Sequence, residues 1–165
     1  MVFSIRRAAL GDEALLRELR IAALTDSPRA FSSTLDRELA RTTEDWKKWF
    51  APGVTFVLEA DGQARGLVAG MRDAKDAAVV QLMSMWVHPG LRGMGAAARL
   101  VASVQGWAEE LGATQVRLDV VENNVRAQRC YERAGFRVTG KQGVVEKSGD
   151  VEIEMVWEVA KRNES

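Results

Sequence analysis

Hydrophobic positions change period several times along the chain, and each change marks an element. Between Val54 and Arg72, apolar and polar residues alternate in "VTFVLEA" and "QARGLVAGMR", on either side of Asp61-Gly62. A period of two on both sides of Asp-Gly predicts a hairpin, because that pair supplies the positive φ angles of a tight turn. Residues 77–87, "AAVVQLMSMWV", are apolar at consecutive positions, which predicts a central strand buried on both faces. Upstream, "VFSIRRA" reads as a first strand. "GDEALLRELRIAAL" then sets Leu15, Leu16, Leu19, Ala22 and Ala23 at helical spacing, with Asp12 as the expected cap. Asp26-Ser27-Pro28 ends that helix. Two short helical pieces follow, residues 29–40 and 42–51. The second has Thr42 and Asp45 at capping-box spacing and Trp46, Trp49 and Phe50 on one face. Core packing is the expectation for those rings, and lining a pocket is the alternative.

The second half predicts a helix from about Gly93 to Leu111, stopped by Gly112, with Val101, Val104, Ala108 and Leu111 repeating at threes and fours. "QVRLDVV" is a strand and "NVRAQRCYERA" a helix stopped by Gly135. "FRVTGKQGVVEK" and "VEIEMVWEV" form a closing hairpin. Strands and helices in this order predict an α/β (α+β) fold with a mixed sheet. The 165 residues suit a single domain, 1–165, with a sizeable core.

Composition narrows the chemistry. Lys plus Arg and Asp plus Glu are equal at 23, so no global field draws the chain to nucleic acid or membrane. No run approaches the ~18 apolar residues of a membrane span, and the first residues carry too short an apolar stretch for a secretory signal. The single cysteine, Cys130, excludes an internal disulfide; with the missing signal it sets the expectation of a cytoplasmic protein. One histidine, His88, and one cysteine cannot assemble a metal cluster, so no metal is expected. His88 reads as structural or solvent-facing and Cys130 as an inert core thiol. Neither a nucleophile elbow nor a Walker loop is present.

The chemistry concentrates in "HPGLRGMGAAARLVA", residues 88–102. Gly93 to Ala98 fits Gly-x-Gly-x-x-Gly/Ala, and Asp119 lies about twenty residues on, as a dinucleotide site requires. Context opposes that reading, since "HPGLR" separates the strand from Gly93 and no further βαβ units follow. Read as Arg-x-x-Gly-x-Ala from Arg92, the segment is a better anion cradle. Gly93 and Gly95 let the backbone approach an anion and leave successive N–H groups free at the positive end of a helix. Arg92 adds a permanent charge able to grip a pyrophosphate. A second cluster lies in "LDVVENNVRAQRCYERAGF", where Asn124, Ala127 and Tyr131 share one helix face. Tyr131, the only tyrosine, is either a packed ring or a proton donor.

Together the two segments resemble the GNAT superfamily of acetyl-CoA-dependent N-acetyltransferases. "VHPGLRGMGAAARLV" corresponds to its Arg-x-x-Gly-x-Gly/Ala motif and "LDVVENNVRAQRCYERAGF" to its Asn-x-x-Ala-x-x-x-Tyr-x-x-x-Gly-Phe motif. The resemblance implies a mostly antiparallel, twisted sheet with helices on both faces. Its co-substrate would be acetyl-CoA, the acceptor a primary amine, and the reaction direct attack in a ternary complex. It further implies that Met85, Trp86 and Val87 pair with the pantetheine arm. Arg92, Gly93, Met94, Gly95, Ala96, Ala97 and Ala98 would hold the pyrophosphate, Asn124 the arm, and Tyr131 would protonate the departing thiolate. Many family members carry a carboxylate on the strand before the glycine loop, and residues 77–87 have none. Asp119, Glu122 or a water chain would then serve as base. A non-catalytic acyl-CoA sensor is the rival expectation. The final strand also leaves room for a homodimer. Aromatic residues beside Asp26, Glu44, Asp45, Glu146, Asp150, Glu152 and Glu154 suggest a cationic acceptor.

Overall fold

In the computed structural model, which describes residues 2–160, seven strands form one sheet in the order β1-β2-β3-β4-β5-β7-β6. The strands are β1 Phe3–Arg7, β2 Val54–Ala60, β3 Gln63–Arg72, β4 Val79–Val87, β5 Gln115–Val121, β6 Arg137–Val144 and β7 Val151–Glu158. The helices are α1 Glu13–Asp26, α2 Leu35–Leu39, α3 Thr43–Lys47, α4 Ala96–Glu110 and α5 Val125–Arg133. Every neighbouring pair is antiparallel except β4–β5, which α4 joins as a parallel crossover.

The apolar run of residues 77–87 does become the fourth of seven strands, with cover on both faces. On one face α4 packs Leu100, Val101, Val104 and Ala108 against Val68, Val80, Leu82, Val116 and Met155. On the other, α1 and α3 bring Leu16, Leu19, Ala23, Trp46 and Phe50 onto Val57, Leu67 and Trp86. Helices therefore cover both faces, as the resemblance implied. Edge strand β6 is exposed along its whole length and carries Arg137 and Lys141, which discourage pairing with another edge. No described helix is long and apolar enough to cross a membrane.

Local expectations fare unevenly. The Thr42–Asp45 capping box forms with both of its bonds. Thr34, which the pattern did not single out, caps α2 through Arg37 N. Asp12 sits at the N-cap of α1 but its side chain does not cap it. That carboxylate accepts instead from Ala9 N and from the Arg6 guanidinium, which outcompetes the helix amides. Helix α4 starts at Ala96 rather than Gly93, because Gly93 and Gly95 adopt φ of 82° and 81°, outside the helical region. Of the aromatic stripe, Trp46 and Phe50 are core while Trp49 is half-buried and lines a cavity.

Leu100, 0% exposed at the centre of the α4 face, tests this packing. Leu100→Ala should lower stability by about 2–5 kcal/mol in urea titrations, the usual range for a buried leucine truncated to alanine.

Candidate active site

Parallel pairing of β4 with β5 covers only Val79↔Gln115, Val80↔Val116 and Gln81↔Arg117. Beyond Gln81 the two strands part. The β3–β4 register also shifts, from Met83 opposite Ala69 to Trp86 opposite Leu67, so that Ser84 and Met85 together face Val68. Ser84 takes a φ of 60°, the left-handed conformation of a bulge. The extra residue re-aims the strand: Gln81 and Met83 face the α1 side before it, and Trp86 does so after it. The gap between the strands leads into three adjoining cavities.

The first, of about 680 Å³, lies over the glycine loop, lined by Gly93, Gly95, Ala96, Ala97 and Ala98. The first turn of α4 leaves its N–H groups without helical partners, and the earliest α4 bond is Arg99 N to Gly95 O, at 3.3 Å. Those donors and the dipole of a 15-residue helix converge where the two positive-φ glycines remove side-chain bulk. The charged residues lining this cavity are Arg92, Arg126 and Arg133, with no carboxylate among them. Arg126 and Arg133 were not anticipated. Their spacing with Cys130 on α5, at i, i+4 and i+7, was the available signal. Met94 points away and is exposed.

Arg92 stands in the loop as expected, but its guanidinium turns inward. Its Nε donates to Val87 O at 3.1 Å and its Nη2 to Asp26 Oδ2 at 2.5 Å. Asp26, at the end of α1, also accepts from Trp86 Nε1 at 3.0 Å and Ser27 Oγ at 2.7 Å. Here Arg92 pins the loop to β4 and α1, and its charge is largely met by Asp26.

The middle cavity, about 360 Å³, collects Met85, Trp86, Val87, Ala97, Asn124 and Tyr131. Asn124 caps α5 through its side-chain oxygen, which accepts from Ala127 N at 3.2 Å. Tyr131 is 7% exposed and packs edge-on against Phe136 with ring centroids 5.8 Å apart. Burial, with a smaller contribution from Cys130, pushes its hydroxyl well above the ordinary range, so it stays protonated at neutral pH. Cys130 itself is half-buried and lines both this cavity and the loop cavity, so it is a wall residue rather than a core thiol. Burial raises its pKa, which makes it unreactive all the same. His88 accepts from Gly90 N at 3.0 Å through Nδ1, a structural role.

The third cavity, about 370 Å³, shares Ala30 and Phe31 with the second and reaches Asp119 and Glu152 on β5 and β7. Asp119 is open to water from the cavity yet crowded by its walls. That partial desolvation, with Glu154 opposite it on β7, raises its pKa. Desolvation and then Asp119 do the same for Glu152. Glu122 lies outside, at the end of β5, so the two candidate bases separate: Asp119 faces a cavity and Glu122 does not. Four of the other named carboxylates are engaged: Glu44 by Lys47, Asp45 in its capping box, Asp150 by Arg29 and Glu154 by the Thr139 hydroxyl. The opposite wall holds Arg20, Glu38 and Arg41, which the pattern missed. Arg20 shares the buried face of α1 with Leu16, Leu19 and Ala23, so an arginine in an apolar slot was the legible clue.

Comparison with known proteins agrees with this geometry. The acetyltransferase (GNAT) family model matches residues 18–136, and the chain belongs to that family. It is 40% identical over 81 residues to an uncharacterised N-acetyltransferase of Mycobacterium tuberculosis, covering 48% of this chain and 50% of that one. It is 30% identical over 120 residues to the mycothiol acetyltransferase of Beutenbergia cavernae, covering 70% of this chain and 40% of the relative. The chain thus spans about half or less of the length of these curated relatives. The fold is that of a Salmonella typhimurium putative acetyltransferase solved with its cofactor acetyl-CoA, at a TM-score of 0.79 and 19% identity over 100% of this chain and 98% of that one.

The Asp26 junction yields a pH test. Bonds from Trp86, Ser27 and Arg92 lower its pKa from 3.8 to about 2. A carboxyl lowered by folding contributes stability above its unfolded pKa and loses it as pH falls through the folded value. Asp26→Asn should therefore be less stable than wild type at pH ~7 in urea titrations. The difference should hold down to the unfolded value of 3.8 and shrink from there toward about 2. A difference independent of pH would place the effect in packing alone.

Proposed function

We propose that this chain is an acetyl-CoA-dependent N-acetyltransferase, transferring acetyl to an amine by direct attack in a ternary complex. The observation that carries this is the continuity of the cleft. The arginine-lined helix N-terminus, the parted edge of β4 and the carboxylate cavity follow one another through shared residues, Val87, Arg92 and Ala97 at one junction and Ala30 and Phe31 at the other. Acetyl-CoA has the matching parts: phosphates at one end, an amide-bearing arm, and a thioester.

In this reading Gly93 to Ala98 hold the pyrophosphate through backbone N–H groups, with Arg126 and Arg133 supplying charge. The backbone of Met85, Trp86 and Val87, unpaired toward β5, meets the arm beside Asn124. The acceptor enters from the third cavity. Its nitrogen lone pair forms the new C–N bond at the thioester carbon while the C–S bond breaks and the electron pair leaves on sulfur. A free alkyl ammonium has a pKa near ~10.4 and must first lose a proton. Asp119 takes that role, and its raised pKa makes it a better base than an ordinary surface carboxylate. Tyr131 presents its hydroxyl to the departing sulfur. Holding both reactants in one cleft supplies much of the rate.

Gly95→Val should weaken acetyl-CoA binding at least ~10-fold by calorimetry, because a β-branched residue resists this φ and crowds the phosphates. Tyr131→Phe keeps the ring and removes only the donor. It should lower kcat roughly 10²-fold, the low end for general acid catalysis, with acetyl-CoA affinity nearly unchanged. Full kcat in that variant, with chemistry rate-limiting, would make Tyr131 a packing residue. Acetyl-CoA binding without thiol release on any amine or peptide would replace the enzyme by an acyl-CoA sensor.

A further inference from the structure

On the reading of the cleft as an acetyltransferase site, we infer that the acceptor is a small amine bearing an anionic group, an amino acid above all. Its ammonium faces Asp119 and Glu152 and its carboxylate faces Arg41 and Arg20. The third cavity is dipolar. Its helical wall carries Arg20, Arg37 and Arg41 against the single carboxylate of Glu38, and its sheet wall carries Asp119 and Glu152. Glu38, 0% exposed, is fully committed. It accepts from Ser33 Oγ at 2.5 Å, Arg41 Nε at 2.8 Å and Arg20 Nη2 at 3.3 Å. One carboxylate cannot neutralise three guanidiniums, and Lys147, held by the carbonyls of Pro28 and Ser33, adds a fourth cation close to Arg20.

Arg20 shows the imbalance most directly. It is 3% exposed, and its Nε and Nη1 have no hydrogen-bond partner. Only Trp46 Nε1 shares that condition among the buried side-chain atoms of the described residues. A buried, half-paired guanidinium is costly. Aromatic faces offset part of the cost and fix its orientation: Phe31 and Trp49 each lie 5.2 Å from Arg20, and Trp46 and Trp49 lie 5.4 and 5.7 Å from Arg41. The rings expected to sit beside carboxylates sit beside arginines instead. A polyamine would meet repulsion on this wall. Of the two arginines bonded to Glu38, Arg41 is the more open to an acceptor carboxylate, with its side chain 29% exposed against 4% for Arg20. Phe31, half-buried over Arg20, lines both this cavity and the middle one. The volume of about 370 Å³ suits a small molecule rather than a folded protein tail.

The test compares matched acceptors by thiol release with saturating acetyl-CoA: amino acids of differing side chain, their amides, and their decarboxylated amines. The best amino acid should exceed its amide and its decarboxylated amine by ~10-fold or more in kcat/KM, the scale of one charged hydrogen bond. Arg41→Gln should erase most of that preference, raising KM for the acid ~10-fold more than for the amine. Arg20→Gln risks the fold, so Arg41 is the primary variant. Calorimetric binding of the N-acetylated acid against its amide, in the presence of CoA, gives the same comparison without turnover and should favour the acid. Amines or amides turned over as well as the acids would overturn this inference and leave acetyl transfer standing. Thiol release with no acceptor of any class would overturn the transfer reading and this inference with it.

Discussion

Parallel strands normally stay paired, because each parted residue surrenders backbone hydrogen bonds that the interior cannot replace. Here β4 and β5 stay together for three residue pairs and then separate, and the rest of the site is arranged around that separation. The bulge at Ser84 bends β4 away. Helix α5, anchored by Gln128 to the carbonyls of Val121 and Glu122, stands over the end of β5. Helix α4 begins at Ala96, across the glycine loop from the end of β4 at Val87. The parted backbone therefore lies within reach of a helix N-terminus on one side and a carboxylate-bearing sheet surface on the other. The gap opens into cavities where water can meet the parted groups, and an extended ligand laid along β4 would restore the missing bonds.

Charge along this cleft is unevenly distributed, with Asp26 meeting Arg92 and Glu38 shared between Arg20 and Arg41. Arginines surround the glycine loop, Arg92 and Arg126 carry that charge to the edge of the middle cavity beside a protonated Tyr131, and the far cavity sets arginines against carboxylates. In a chain whose charges balance overall, such segregation comes from folding rather than composition. It matters more than surface ion pairs such as Lys47–Glu44, which are solvated and worth little. Inside a cleft the same charges are less screened, and they select what enters.

The elements carried by short-range pattern were legible. Asp-Gly placed the β2–β3 turn, the apolar run placed β4 at the centre, and the two motifs placed the loop and Tyr131 beside one cleft. What escaped was decided by contacts distant in sequence. Asp12 had the right position for a cap, but Arg6 claimed its carboxylate. Arg92 had the right position to hold an anion, but Asp26, sixty-six residues earlier, holds its guanidinium. The Arg20–Glu38–Arg41 cluster joins α1 to α2 and the turn beyond it, and no single window contains it. Only the misplaced polarity of Arg20 on an apolar helix face betrays it locally.

The engagement of Arg92 also bears on how the loop discriminates. A free guanidinium would attract any anion that reached it, at a strength set by salt. With Asp26 on Arg92, the nearest groups to a ligand are fixed backbone donors, which cannot titrate and which reward only an anion shaped to the turn. Arg126 and Arg133, on the neighbouring helix, supply net charge from the other wall of the same cavity. On the proposed reading, the division would separate two tasks that one residue would otherwise combine: long-range attraction from α5, and shape recognition from Gly93 to Ala98. Asp26 ties the second task to α1 and to Trp86, whose ring packs with the α1 face. One carboxylate therefore ties the glycine loop, through Arg92, to the α1 side of the sheet, through Trp86, and on the proposed reading these are the phosphate end and the acceptor side.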